Sequence, residues 1–332
     1  TPEIDAVHLS VPKSNGEVES DVDELFRRFV AGNEEEAENS SGIRILPHSF
    51  PTVSIGSPLP DCCDLPGNVI STLPRAGAFA VRAGLLALEK AGFVSRTSQP
   101  PWQLPCHMQD DTAVVFATAY AQHEEAMYNV YRHVQHVTVE ACSDALHQAG
   151  NDDAVRLISE TFSGGDALKS PGAERKVALQ LTLQANVQLA QILRARGPSI
   201  CTSNACASLT AGLHMARLLL NDDSVGRVLL VACDSTVGNA DCTSLVESFA
   251  SLKAATRECS IERAVQPFGS CPSGFVFGEA AAAMLLSKPK ISKPNDIPER
   301  RVVRVVTSRL ANSAHHGTRL HMEHIASEMR HA

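Results

Sequence analysis

Apolar residues along this chain fall into two recurring patterns, one spaced for a helical face and one nearly continuous. Over residues 73–92 (LPRAGAFAVRAGLLALEKAG) the apolar positions include Phe79, Val81, Leu85, Leu86 and Leu88. They predict a helix ended by Gly92. Residues 111–118 (DTAVVFAT), 226–233 (GRVLLVAC) and 280–286 are near-continuous apolar runs. That is the mark of buried strands, covered on both faces. Helical spacing returns over residues 124–149, 174–196 and 244–255. Residues 301–307 alternate charge with paired valines and read as a partly exposed strand; residues 321–331 read as a short amphipathic helix.

The densest pattern lies between residues 197 and 237 (GPSICTSNACASLTAGLHMARLLLNDDSVGRVLLVACDSTV). It predicts a buried strand over 199–203, a tight turn, a helix over 207–220 carrying Leu209, Leu213, Ala216, Leu219 and Leu220, and then the 226–233 strand. Cys206 falls where the first strand hands over to the helix. The free N–H groups and positive dipole end of a helix start favour a thiolate over a thiol, and a thiolate is the nucleophilic form. A small buried cysteine is the other reading of the same position.

Earlier in the chain the pattern is weaker. Residues 1 to about 70 read as an irregular arm with one short amphipathic helix over 21–30 (DVDELFRRFV) and a solvated acidic run over 34–38. Residues 99–105 are a proline-rich loop holding the only tryptophan, Trp102, and residues 163–172 read as a flexible loop, as do residues 288–299. His133 and His136 are three apart on the 124–149 helix and share a face, but further ligands are not apparent, so they read as surface histidines and no metal site is expected.

At 332 residues and 44% hydrophobic content, the chain can bury a large core as one domain or two halves. A net charge of −8 argues against nucleic acid or an anionic membrane as the main partner. No apolar run is long enough to span a bilayer, and no signal-peptide pattern opens the sequence, which starts at Thr1. The 10 cysteines are scattered and lack a CxxC pair, which suits a reducing intracellular compartment: the cytoplasm, or the matrix of a mitochondrion or plastid. Cys62 and Cys63 are adjacent in a proline-rich loop.

The segment GPSICTSNACASLTAGLHMA around Cys206 resembles the nucleophile segment of the β-ketoacyl synthases, the condensing enzymes of fatty-acid and polyketide synthesis. A second block, residues 266–279 (QPFGSCPSGFVFGE), is similar to that family's Arg-Pro-Phe-Asp and Asp-Gly-Phe-Val-x-Gly-Glu-Gly motifs, at an interval that suits the family. Residues 41–47 and 51–56 resemble the family segment after its first helix, 73–92 its first long core helix, and 311–318 its Ser-Asp-Ala-Tyr-His segment. The family's opening Val-Val-Val-Thr-Gly strand has its candidate here in residues 6–11 (AVHLSV).

The resemblance implies an α/β fold of the thiolase-like condensing-enzyme type, a mixed sheet between helices, with this chain covering mostly the N-terminal half. Residues 1–70 would be the arm and 71–332 the synthase N-terminal-type domain, ending in the linker to a second half. It also implies Cys206 as the acylated nucleophile, with its backbone N–H forming half of an oxyanion hole. Two histidines and a lysine of the family site belong to the second half and have no placed counterpart. His315-His316-Gly317-Thr318 resembles a catalytic His-Gly-Thr superficially, but its position fits a structural or inter-half contact. No metal, nucleotide or flavin is implied. The implied partners are acyl carrier protein and a second synthase chain, as homodimer or heterodimer, paired through the strand before the nucleophile.

Several positions depart from the family pattern. The turn after the 111–118 strand is Ala-Tyr-Ala rather than Gly-rich, and Ala232-Cys233-Asp234 stands where the family has a Gly pair. Asn204 replaces Thr, Leu209 and Ala280 each replace Gly, and Gln266, Gly269 and Ser273 replace Arg, Asp and Asp. Losing an Arg and two Asp together removes a charged network. Two functions follow: a condensing acyltransferase working through Cys206, or a catalytically inactive synthase-like scaffold or partner subunit of a larger assembly.

Overall fold

A computed structural model of the chain describes residues 4–6, 11–12, 18–19, 44–46, 54–56, 60–70, 73–98, 100–120, 123–162, 178, 184–235, 244–266, 268–288, 303–315 and 321–331. Its strands in chain order are β1 (Ile4–Ala6), β2 (Val11–Pro12), β3 (Val18–Glu19), β4 (Arg44–Leu46), β5 (Ser54–Gly56), β6 (Thr112–Ala117), β7 (Ser199–Thr202), β8 (Arg227–Ser235), β9 (Glu279–Ser287) and β10 (Val303–Val305). Its helices are α1 (Gly67–Ile70), α2 (Arg75–Lys90), α3 (Cys106–Gln109), α4 (His123–Gln148), α5 (Asp152–Phe162), α6 (Ala185–Leu193), α7 (Ser208–Leu220), α8 (Ser244–Ser251), α9 (Ile261–Ala264) and α10 (Met322–His331).

The main sheet has six strands in the order β10-β1-β9-β8-β6-β7. β6 pairs parallel with both β7 and β8, while β8–β9, β1–β9 and β1–β10 are antiparallel. Because successive side chains of a strand face opposite ways, the apolar runs build two cores at once. Val114, Phe116, Leu229, Val231, Ala283 and Leu285 face a core completed by α2 and α6. Ala113, Val115, Val228, Leu230 and Leu286 face the other side, where Ala216 and Leu220 of α7 cover them. The result is the mixed sheet between helices that the resemblance implied.

α2 ends as its sequence predicts. Gly92 has φ 79, a conformation glycine adopts without a Cβ clash, and its N–H donates to Glu89 O at 2.9 Å while Phe93 N–H donates to Leu88 O at 3.0 Å. The β6, β8 and β9 runs are strands, and all six residues of β6 are buried. α4 and α5 pack on each other as a helical pair.

Some expectations shift. Among the described residues the strand before the nucleophile is the sheet's edge, paired on one side by β6, and its residues are half-exposed rather than buried. The candidate opening strand at 6–11 is displaced: β1 ends at Ala6 and adds between β9 and β10, and Val11–Pro12 pairs with Val18–Glu19 instead. The 244–255 helix stops at Ser251, because Ala255 pairs with Phe275. α6 ends at Leu193, where Arg194 turns left-handed at φ 55. The helix expected at 21–30, the acidic run at 34–38 and the loops at 163–172 and 289–299 lie outside the described residues.

Candidate active site

β7 and α7 are joined by a five-residue elbow, Ser203 to Ala207, and Cys206 is exposed on it. Ala205 has φ 48, an uncommon left-handed conformation for a residue with a Cβ. The elbow closes on itself through Ala207 N–H to Asn204 O at 3.0 Å and Ser208 N–H to Ala205 O at 3.1 Å. Ala207, at the N-cap position of α7, makes no side-chain cap bond. The structure therefore places Cys206 at the strand-to-helix junction, outside the helix and open to solvent.

Ser208 locks the elbow from beneath. It is 4% exposed. Its hydroxyl accepts from Asn204 N–H at 2.9 Å and lies 2.6 Å from Ala205 O and 3.0 Å from Thr118 O, the two acceptors open to its proton. Ser203 Oγ donates to Ala119 O at 3.2 Å, and Thr118 N–H donates to Thr202 O at 3.1 Å. So the elbow rests on the 118–120 turn at the end of β6.

Ala119 and Tyr120 of that turn open the Ala-Tyr-Ala departure, and Asp234 holds them. Thr118 Oγ1 donates to Asp234 Oδ1 at 2.7 Å, Ala119 N–H reaches both carboxylate oxygens at 2.9 and 3.0 Å, and Tyr120 N–H reaches Oδ1 at 3.3 Å. Two departures from the family pattern are thus one structural unit. Of the neighbouring thiols, Cys201 is pushed up to about 11, by burial and then by the Asp234 charge, and burial raises Cys233 well above its ordinary value.

The second motif lies beside α8. Gly274 has φ +118, and a Cβ there would sit 2.7 Å from Thr256 N, so only glycine fits. Thr256 N–H donates to Phe275 O at 2.9 Å, and Phe275 N–H donates to Ala254 O at 3.1 Å. Ser273, where the family has Asp, pairs with the Thr256 hydroxyl at 2.8 Å, so a neutral bond stands at this charged position. Phe275 and Phe277 form edge-on contacts with Phe249, which also meets Tyr120 at 6.4 Å between ring centroids. An open cavity of about 380 Å³ lies against Phe268, Phe275 and Phe277. Leu209, the replacement for Gly in α7, is 40% exposed and leaves the sheet contact of that helix undisturbed.

The remaining candidates make contacts of their own. The His315 ring packs edge-on against His321, 4.9 Å between centroids, while residues 316–318 lie outside the described residues. His136 Nε2 is 3.3 Å from a Glu140 carboxylate oxygen. Among the described residues no three His, Cys, Asp or Glu side chains converge as metal ligands, and no helix is long and apolar enough to cross a membrane. Sequence reasoning passed over Asp234 as a site residue; its signal was a carboxylate ending an apolar strand, in place of a glycine.

A mixed sheet between helices with a cysteine elbow leading into a core helix defines a thiolase-like condensing-enzyme fold. The family described as "Beta-ketoacyl synthase, N-terminal domain" matches residues 107–290, more than half of the 332 residues, and the chain belongs to that family. Solved structures agree in fold. The chain is similar to a β-ketoacyl synthase from Burkholderia phymatum STM815, with a TM-score of 0.57 and 18% identity, covering 87% of this chain and 60% of that one. It is similar to a ketosynthase solved with its chain length factor from Xenorhabdus doucetiae, with a TM-score of 0.51, 15% identity, and 87% and 58% of the two chains covered. It is also similar to the ishigamide ketosynthase/chain length factor, with a TM-score of 0.51, 19% identity, and 86% and 58% covered. The chain thus spans about 60% of the length of these structures. No curated protein sequence matches it.

Proposed function

We propose that the chain is the nucleophile-bearing part of a β-ketoacyl synthase, with Cys206 as the acyl acceptor. The observation that carries this reading is the exposed sulfur on a left-handed elbow at the start of α7. In the first step Cys206 Sγ attacks the carbonyl of an acyl thioester on acyl carrier protein. The new Sγ–acyl bond forms, the carbonyl–sulfur bond to the carrier breaks, and the carrier leaves as its thiol with the proton. The Cys206 amide at the elbow supplies a hydrogen bond to the oxyanion of this step. In the second step a malonyl-type thioester loses CO2, its carbanion attacks the acyl carbonyl, and Cys206 is released. That step draws on two histidines and a lysine that the family carries in its other half.

Incubation with an acyl thioester and intact-mass analysis tests this. The expected result is one acyl adduct, mapped to Cys206 and absent in Cys206→Ala. No adduct, or an adduct on another cysteine, overturns the reading.

The neutral Ser273–Thr256 bond favours a second reading, a synthase-like partner subunit without turnover. Acylation without condensation, when the chain is joined to the family's other half and given malonyl-carrier, would select it. In either role β7 is the pairing edge, as homodimer or heterodimer; the exposed edge position of β7 supports this, and one neighbour is a ketosynthase solved in complex with its chain length factor. We also read residues 1–70 as an arm that is tied into the synthase domain, through β1 in the main sheet and Leu65 and Val69 in its core, and place the protein in a reducing intracellular compartment, cytoplasmic or in an organelle matrix.

A further inference from the structure

The Cys206 elbow does not stand on its own bonds alone. Ser203 in the loop donates to Ala119 O, and the hydroxyl of Ser208, the first residue of α7, lies between Ala205 O of the elbow and Thr118 O, so the elbow is as well placed as the 118–119 peptides are. The 118–120 turn has no glycine, yet it presents the N–H groups of Ala119 and Tyr120 and the Thr118 hydroxyl to one point. Asp234 occupies that point from the end of β8, with four donor contacts between 2.7 and 3.3 Å. Hydrogen bonds to an ionised acceptor are the stronger kind, and this set fixes the turn against a strand buried in the middle of the sheet. The path has two links. Asp234 orders the 118–119 peptides, and their carbonyls order Ser203 and Ser208 on either side of Cys206.

We infer that Asp234 is a positioning residue for Cys206, setting the attack geometry of its sulfur through the 118–120 turn without touching the acyl group. This rests on the acyl-acceptor reading above. A displacement of the order of an ångström at a nucleophile costs up to about a hundredfold in rate, so removing the carboxylate is expected to act on rate rather than on affinity.

The test follows acylation of Cys206 by an acyl N-acetylcysteamine thioester, read by mass spectrometry across donor concentrations. Asp234→Ala is expected to slow the saturating rate about tenfold, with the half-saturating concentration within about twofold of wild type. Asp234→Asn keeps one acceptor oxygen for Thr118 and Ala119 and is expected to recover most of the rate, to within about threefold of wild type. An Asp234→Ala rate equal to wild type, or Asp234→Asn as slow as Asp234→Ala, overturns the inference. Amide hydrogen exchange is the independent arm: Asp234→Ala should speed exchange at residues 119–120 and 203–208 while leaving β8 protected. Unchanged exchange over 203–208 overturns the inference whatever the acylation result. If the wild-type chain takes no acyl group, the acyl-acceptor reading fails and exchange alone decides the role of Asp234. Should Asp234→Ala not fold, Thr118→Val, which removes the shortest of the four donor contacts, takes its place in both arms, and acylation and exchange both equal to wild type overturn the inference.

Discussion

Arg75 and Glu279 face each other in a two-pronged pair, Nε to Oε1 at 2.6 Å and Nη2 to Oε2 at 2.6 Å, although 204 residues separate them. The Glu279 side chain is fully buried, and Ser235 Oγ donates to it as well. The pair joins the first turn of α2 to the start of β9, where Glu279 lies opposite Ser235, the residue after Asp234 in β8. A buried carboxylate without its partner is far costlier than the pair itself is favourable. Arg75→Met is therefore expected to destabilise by about 3–5 kcal/mol in urea unfolding, and Arg75→Met with Glu279→Leu by less. A single variant no worse than the double would show that the pair is not holding α2 to the sheet.

Asp64 gives a pH dependence with a defined sign. Burial pushes its carboxyl up, but the Arg82 guanidinium and the Trp102 indole outweigh that and hold it below its ordinary value. The contacts are Arg82 Nη2 to Oδ1 at 2.5 Å and Trp102 Nε1 to Oδ2 at 3.0 Å. A carboxyl depressed by folding contributes stability above its unfolded value of about 3.9, and that contribution is lost as pH falls through the lower folded value. The melting temperature of the wild type should fall steeply below about pH 4, and that of Asp64→Asn should start lower and fall less. Parallel curves for the two proteins would remove Asp64 from the acid transition.

How much of this was legible in the sequence depended on how local each determinant is. The β6, β8 and β9 runs and α2 are visible because continuous apolar residues and a terminal Gly92 act within a few positions. The elbow at Cys206 was visible for the same reason. What could not be read is pairing. That β7 lies at the edge, and so is half-exposed, depends on sheet order, which no single strand encodes. Asp234 meets Thr118 across 116 residues, and Arg75 meets Glu279 across more, so neither contact has a periodic signature. Trp102 reads as a loop residue and is one, yet it is fully buried, because its ring packs into the α2-side core with its indole N–H on Asp64.

α5 has a local start signal of its own. Asn151 Oδ1 accepts from Ala154 N–H at 3.2 Å, and Asp152 and Asp153 sit in the first turn, where negative charge meets the helix dipole. Residues 151–153 thus carry a start signal that polar composition hides. Asn151→Ala should cost about 1 kcal/mol locally, seen as faster amide exchange at the start of α5 with α2 unaffected. Equal exchange in both proteins would mean that packing on α4 alone sets the helix start.

Two cysteines five residues apart should differ sharply in reactivity. Cys201 packs against the α2-side core and has its thiol pushed up to about 11, so at pH 8 only about one thousandth of it is thiolate, the form that alkylates. Cys206 is exposed on the elbow. In the native protein iodoacetamide should therefore label Cys206 to completion while Cys201 stays at the level of a few per cent, and fragment ions of the tryptic 197–217 peptide distinguish the two sites. Raising the pH from 8 to 9 should increase the Cys201 rate about tenfold, since the thiolate fraction grows in proportion well below the midpoint. Labelling of Cys201 at the rate of Cys206 would mean that β7 opens from the sheet edge in solution, and with it the support on which the elbow stands.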